Sequence, residues 1–306
     1  LSDLIPISPE KITRKARRLA HRLLEFVVKA GFELSRFTIM LALAKRTYSG
    51  SMVETLQADG VIARAKTFRE GEGDAAAATH YHENSHVSFV MRGGVLDKRR
   101  TRETERLSGE LMFFHAGESH QTIIGSFPTK NINLAIEPEF LQDNLATEAA
   151  VKSAVDRNPY AKFIMLKIYK ELVSEDAFSA SSIKMLLLNL IHVNPEIDSK
   201  NTRPGWINVV AQLTRDKWNE SLTLKDLSEA AGIHPITVSK HFPKYFSCTF
   251  GEHMRRLKIE KSLYFLKDSA FSLTEIAAEC GFSDQSHFIR TFKQLTGFLP
   301  NNYKKL

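Results

Sequence analysis

Two stretches of this 306-residue chain repeat one pattern: a short helix, a glycine, and a second helix with one apolar side. In the later copy, Ser272 to Cys280 reads as a short helix burying Ile276 and Ala277, and Gly281 marks the turn. Ser283 suits the N-cap of the next helix, where a hydroxyl accepts an orphan backbone N–H. That helix is expected to run to about Leu295 and to stop before Gly297 and Pro300. At 100° per residue, Phe288, Ile289, Phe292 and Leu295 share one arc, and Ser286, His287, Arg290 and Lys293 the opposite one. The earlier copy runs from Ser221 to Gly232, with Thr223 as N-cap and Asp226 three residues on as a capping-box partner. Pro235 then suits the first position of a second helix. In it Val238 and Phe242 point inward, and Ile236, Ser239 and Lys240 outward. A helix–turn–helix unit with a polar, basic outer face fits the major groove of DNA, although a helical hairpin with a solvated face has the same pattern. Repetition at about fifty residues favours the first reading.

A helix from Thr249 to Lys267 joins the two units. About nineteen residues at 1.5 Å each give a rod of about 28 Å, close to the roughly 34 Å between successive major-groove faces. The last hundred residues resemble the DNA-binding domain of the AraC/XylS family of transcription regulators. The resemblance runs from LTLKDLSEAAGIHPITVSKHF through EIAAECGFSDQSHFIRTFKQLTGFLPNNYKK. It implies base or backbone contacts from Ile236, Thr237, Ser239 and Lys240 in the first unit, and from Gln285, Ser286, His287 and Arg290 in the second. Two positions depart from the family pattern. Pro243 lies where the first recognition helix usually continues, and is expected to kink or end it. Lys304 stands where an arginine usually closes the motif.

Charge follows the same division. Residues 200–306 carry sixteen Lys/Arg against ten Asp/Glu, whereas residues 51–199 carry sixteen against twenty-one. A basic end beside an acidic middle fits phosphate binding confined to one domain. There is no run of eighteen apolar residues, so no membrane span is expected. The only cysteines are Cys248 and Cys280. Two thiols without a framework suggest a reducing, cytoplasmic setting rather than a disulfide.

Residues 1–52 are basic and amphipathic, with Ile12, Ala16, Leu19, Leu23 and Phe26 on one stripe. They read as a loosely packed extension, or as a helix for membrane or nucleic acid. From Val53 the pattern changes to short alternating runs: Val61–Phe68, His86–Gly93, Leu107–His115, His120–Ile124 and Asn131–Ile136. Glycines at 71, 73, 93, 109 and 117 separate them. Such spacing predicts an antiparallel barrel or jelly roll over residues 53–145. Within it, His80-x-His82-x3-His86 up to Gly93, then Gly109 to Gly117 and His120, resembles the two motifs of cupins. His86 takes the place of the usual glutamate and His115 that of the usual proline. The resemblance implies a pocket formed by His80, His82, His86 and His120. It would hold either a divalent transition metal or an organic effector, and structural histidines remain a third reading. Four imidazoles suit Zn, Fe, Ni or Cu over Mg or Ca.

Residues 146–200 turn helical, with stretches at Tyr160–Val173 and Ser182–Val193. Leu186, Leu187, Leu190, Ile191 and Val193 give the latter an apolar face, for a second copy or for the barrel. Asn194 to Gly205 is polar and Pro-bearing, and reads as the interdomain linker. The expected fold is α+β and multidomain: a cupin-like antiparallel β-barrel sensor, a helical region, and an all-α domain over 201–306. The expected function is a ligand-responsive transcription regulator, not an enzyme. Its partners would be double-stranded promoter DNA, a small-molecule effector, RNA polymerase and a second copy of the chain, with no membrane. The rival is a metal-dependent cupin enzyme, a dioxygenase or isomerase, with an appended helical domain.

Overall fold

The structure is a computed structural model. It describes residues 41–42, 53–70, 78–192, 204–268 and 270–306. The basic extension up to residue 52 apart from Leu41–Ala42, the glycine turn at 71 and 73, and most of the expected linker lie outside the described residues.

Among the described residues ten strands come first: β1 (Leu41–Ala42), β2 (Val53–Ala58), β3 (Val61–Phe68), β4 (His80–Tyr81), β5 (Ser85–Arg92), β6 (Gly94–Arg99), β7 (Glu103–Leu107), β8 (Leu111–Phe114), β9 (His120–Ile124) and β10 (Thr129–Ile136). They form two sheets, ordered β1-β4-β9-β6-β7 and β2-β3-β10-β5-β8. In the second sheet β10 pairs antiparallel with both β3 and β5, and β5 continues to β8. The expected Leu107–His115 strand is two strands. Gly109, at φ +89°, turns the chain between β7 and β8, so that Leu107 and Leu111 fall on different sheets. β2 and β6 carry a weaker alternation and were not resolved from sequence.

Side-chain alternation on β5 explains what lies on each face of the second sheet. Val87, Phe89 and Met91 point into the main hydrophobic core, together with Val61, Ala63 and Ala65 of β3 and Ile132, Leu134 and Ile136 of β10. His86 and Ser88 point the other way, toward the first sheet, where they meet His120 of β9 and Arg106 of β7. The space between the sheets is therefore polar.

The helices follow: α1 (Pro138–Asp143), α2 (Glu148–Arg157), α3 (Ala161–Ser174), α4 (Ser179–His192), α5 (Gly205–Asp216), α6 (Leu224–Ala231), α7 (Pro235–Phe246), α8 (Phe250–Asp268), α9 (Leu273–Glu279), α10 (Gln285–Thr296) and α11 (Pro300–Lys305). α3 lies against β2 and β3, and α4 against α3. The apolar face of α4 is spent inside the chain: Leu187, Leu190 and Ile191 are buried in the main core. None of the described helices is long and apolar enough to cross a membrane. Cys248 and Cys280 are free and buried.

The two helix–turn–helix units rest on different cores. α5, α6 and α7 close over a small cluster of Val210, Leu227, Val238 and Phe242. α8 to α11 contribute Leu263, Ile276, Phe288, Phe292 and Tyr303 to the main core, which also holds the β-sheet and α3 residues.

Candidate nucleic-acid interface and histidine-lined site

Both units are built by local signals. Thr223 accepts from the backbone N–H of Asp226, whose carboxylate accepts from the N–H of Thr223 in return. Gly232 ends α6 at φ +65°. Ser272 and Glu275 make the same reciprocal pair at the start of α9. Gly281, at φ +68°, turns the chain so tightly that a Cβ there would sit 1.8 Å from the carbonyl oxygen of Asn219. The cap of α10 is Asp284 and not Ser283: the Asp284 carboxylate accepts from the His287 N–H at 2.7 Å, while the Ser283 hydroxyl donates to Asp284. A carboxylate at a helix N-terminus also meets the positive end of the helix dipole, which a hydroxyl does less well.

Pro243 neither ends α7 nor shortens it, since the helix continues to Phe246. The carbonyl of Ser239 loses the donor that Pro243 lacks. Ser239 is exposed, so water can take its place and the cost stays small.

On α7, Ile236, Ser239 and Lys240 are exposed and Thr237 is half-buried; Ile236 is 69% exposed despite its apolar side chain. On α10, Ser286 and Arg290 are exposed, and Gln285 and His287 are half-buried. The Gln285 carbonyl accepts from the Thr274 hydroxyl at 2.7 Å, which ties α9 to α10. Between the two units runs α8, 19 residues long.

Between the sheets lie four histidines. The His80 ring is 5.0 Å from that of His82 and 4.5 Å from that of His120, and the His82 ring is 4.4 Å from that of His86. One ring nitrogen each of His80, His82 and His120 lies within 4.8 Å of the other two. His86 stands behind this trio, stacked on Phe114 at 4.7 Å. His115 is outside the cluster, held by Glu148 of α2 at 2.7 Å. β4 is only two residues long, so His82 lies just beyond the strand that carries His80.

Proton positions follow from the partners. His80 Nδ1 lies 3.0 Å from the Ala78 carbonyl, and His120 Nδ1 2.9 Å from that of Glu118. A carbonyl only accepts, so each Nδ1 carries a proton, and in the neutral ring Nε2 is the nitrogen left with a lone pair. Burial lowers the His82 pKa to about 3 and that of His120 to about 4, with the neighbouring imidazoles adding to the effect. Burial also holds His86 well below the usual range.

The wall of this space is polar as well. Asp97 and Arg106, both buried, pair at 2.5 Å, and Thr122 donates to Asp97 at 2.7 Å. The pair was invisible in the sequence, since β6 and β7 read weakly and only their register brings the two residues together. Within this space His86 Nδ1 is buried without a protein partner. A buried polar atom left uncommitted marks a ligand contact or ordered water.

Residues 227–306 match the family model of a helix-turn-helix domain. An uncharacterized HTH-type transcriptional regulator of Escherichia coli, YpdC, is 22% identical over 231 residues, 71% of this chain and 80% of its own length. The HTH-type transcriptional activator RhaR of Cronobacter sakazakii is 24% identical over 250 residues, 74% of this chain and 87% of RhaR. The transcriptional activator RhrA of Rhizobium meliloti is 36% identical over 90 residues, 29% of this chain and 28% of RhrA.

Proposed function

Because the chain is a transcription regulator with an AraC-type DNA-binding domain at its C-terminus, we propose that it reads one face of a promoter with α7 and α10. The observation that carries this is the pair of solvent-facing helices at the two ends of α8. At 1.5 Å per residue α8 is about 28 Å long, which suits adjacent major-groove turns. Ile236 would meet a thymine methyl, Lys240 a phosphate or guanine, and Arg290 a guanine edge. Thr237, Ser239, Gln285, Ser286 and His287 complete the two contact sets. Selection from a random duplex pool, followed by gel shift on the selected site, tests the reading. An enriched motif with two blocks about one helical turn apart is expected, and no enrichment refutes it.

The second half of the proposal is that residues 53–145 form a cupin-like sensor, joined by helical residues 146–200 to the DNA-binding residues 201–306. Its ligand site is the histidine-lined space. The lone pairs of His80 and His120, held by their Nδ1–H bonds, together with His82, fit a borderline transition metal such as Zn or Ni. His86 stands in reserve behind them. Such a metal would act by holding the β4 end and β9 together, or by presenting an open position to an effector. A polar organic effector is the other occupant, favoured by the uncommitted His86 Nδ1. Metal content and thermal shift with divalent metals separate the two. The reading places the protein in the cytoplasm with RNA polymerase as a partner, acting as a homodimer. The dimer surface would not be the buried face of α4 but its outer edge, where Met185 is 66% exposed, together with Phe178 just before the helix, 75% exposed.

A further inference from the structure

The rod helix α8 carries a second polar site, away from the histidines. Arg256 is buried, and lies where the α2–α3 turn meets the first helix–turn–helix unit. Its guanidinium donates to the Pro159 carbonyl at 3.2 Å and to His253 Nδ1 at 2.9 Å. An arginine only donates, so His253 Nδ1 is bare and its proton sits on Nε2, facing the Thr214 hydroxyl at 3.3 Å. The Thr214 hydroxyl in turn donates to the Val210 carbonyl at 3.0 Å. The chain of bonds is complete except at one atom: Arg256 Nε is buried and has no partner.

A cavity of about 300 Å³ opens beside this network. Arg157 of α2, Arg215 of α5 and Arg256 of α8 line it, and no Asp or Glu does. Neither Arg157, Arg215 nor Arg256 has a carboxylate within ion-pair range among the described residues. Three guanidiniums from three helices thus share one opening without a counter-ion. Asn208 and Ser247 add further polar groups, while Ile207, Tyr245, Phe246 and Leu257 make the rest of the wall apolar or aromatic. Like charges gathered at one place repel, and the fold keeps them only if something of opposite charge is bound or water screens them. The field is felt by His253, whose pKa burial lowers to about 3 with Arg256 and Arg215 contributing.

We propose that this cavity binds a small organic carboxylate, its charge held by Arg157, Arg215 and Arg256 and its apolar body against Tyr245, Phe246 and Leu257. Guanidinium presents a planar fork that matches a carboxylate. A cavity of this size suits a molecule of about ten heavy atoms. The occupant would touch the α2–α3 turn and the first helix–turn–helix unit at once, so that binding would fix their relative position. The proposal goes beyond the reading of the histidine site and stands on binding alone, whatever DNA the protein reads.

Isothermal titration of the full chain with phenylacetate, phenylacetamide and inorganic phosphate tests it. Saturable binding of phenylacetate is expected, at least tenfold tighter than that of phenylacetamide or phosphate. Arg157→Gln and Arg215→Gln, both at exposed positions, should each weaken phenylacetate at least fivefold while leaving the melting temperature in place. No binding of phenylacetate at millimolar concentration would overturn the proposal. So would equal binding of the neutral amide, preference for phosphate, or an unchanged affinity in both variants.

Discussion

The ammonium of Lys162, at the start of α3, lies 2.6 Å from the carboxylate of Glu260, midway along α8. Glu260 is one helical turn beyond Arg256, which the same α2–α3 turn engages through the Pro159 carbonyl. The β-sheet half of the molecule therefore grips the rod between the two helix–turn–helix units at successive turns. Both charges of the outer contact are about 30% exposed, so the pair adds about 0.2–1 kcal/mol. A double-mutant cycle with Lys162→Ala and Glu260→Ala in urea should return a coupling in that range. A coupling of zero would show that the two charges do not pair in solution.

Gly281 and Gly232 occupy equivalent turns but face different surroundings, which makes them a matched test. At Gly281 an added methyl group meets the Asn219 backbone, whereas at Gly232 nothing lies within 4 Å. Both have positive φ, so each alanine carries about 1 kcal/mol of backbone strain. Gly232→Ala should cost about that much, and Gly281→Ala at least about 3 kcal/mol through displacement of the backbone. Chemical denaturation measures both. Equal losses would mean that the Asn219 contact relaxes freely.

For DNA binding, α7 continues through Pro243 to Phe246 and is as long as α10. Lys240→Ala and Arg290→Ala should now cost similar amounts on a selected site, about 1–3 kcal/mol where a base is read. If Arg290 reads guanine, its alanine variant relaxes preference at one base pair. If it holds phosphate, all sequences weaken alike and the salt slope falls by about one. Binding measured across salt concentrations and single-base variants of the site decides which.

The buried imidazoles set a pH dependence. His82, His120 and His253 have folded-state pKa values of about 3, 4 and 3, below the usual 6.5. In the unfolded chain they titrate near 6.5, so between pH 6.5 and about 3 the unfolded state binds more protons. The stability they contribute is full above pH 6.5 and declines as pH falls through that window. The slope per histidine is at most about 1.4 kcal/mol per pH unit. Urea midpoints from pH 7.5 to 5 should fall steadily, and His253→Gln should flatten the fall. A midpoint independent of pH would show these rings to be solvated.

If the histidine trio holds metal, Zn or Ni should raise the melting temperature of the wild type and not of His82→Ala. Because protons and metal compete for the same lone pairs, and burial holds His82 and His120 at about 3 and 4, the metal effect should persist at pH 6 and shrink only as the pH falls toward about 4. An identical rise in both proteins would place the metal elsewhere.

The parts that were legible in the sequence are those fixed by short-range signals. Thr223 with Asp226, the turns at Gly232 and Gly281, and the inward residues Val238, Phe242, Phe288 and Phe292 could all be read from spacing alone. What escaped depends on residues far apart in the chain. The Asp97–Arg106 pair needs the register of β6 with β7. The Arg256–His253–Thr214 chain needs α5 beside α8. Ser283 and Asp284 are both competent caps, and one position of helix phase separates them. The apolar face of α4 was visible as apolar, but only tertiary packing says that α3 covers it and not another molecule.

The separate cores of the two helix–turn–helix units carry a kinetic consequence. Four buried side chains hold α5, α6 and α7 together, whereas α9 and α10 cannot open without disturbing the core shared with the sheets. Local opening draws on the free energy of the cluster it exposes. Amide protons in α6 and α7 should therefore exchange faster than those in α9 and α10, and a duplex should gain more from quieting the first unit than the second. The protein then meets DNA with one hand already clenched and the other still closing.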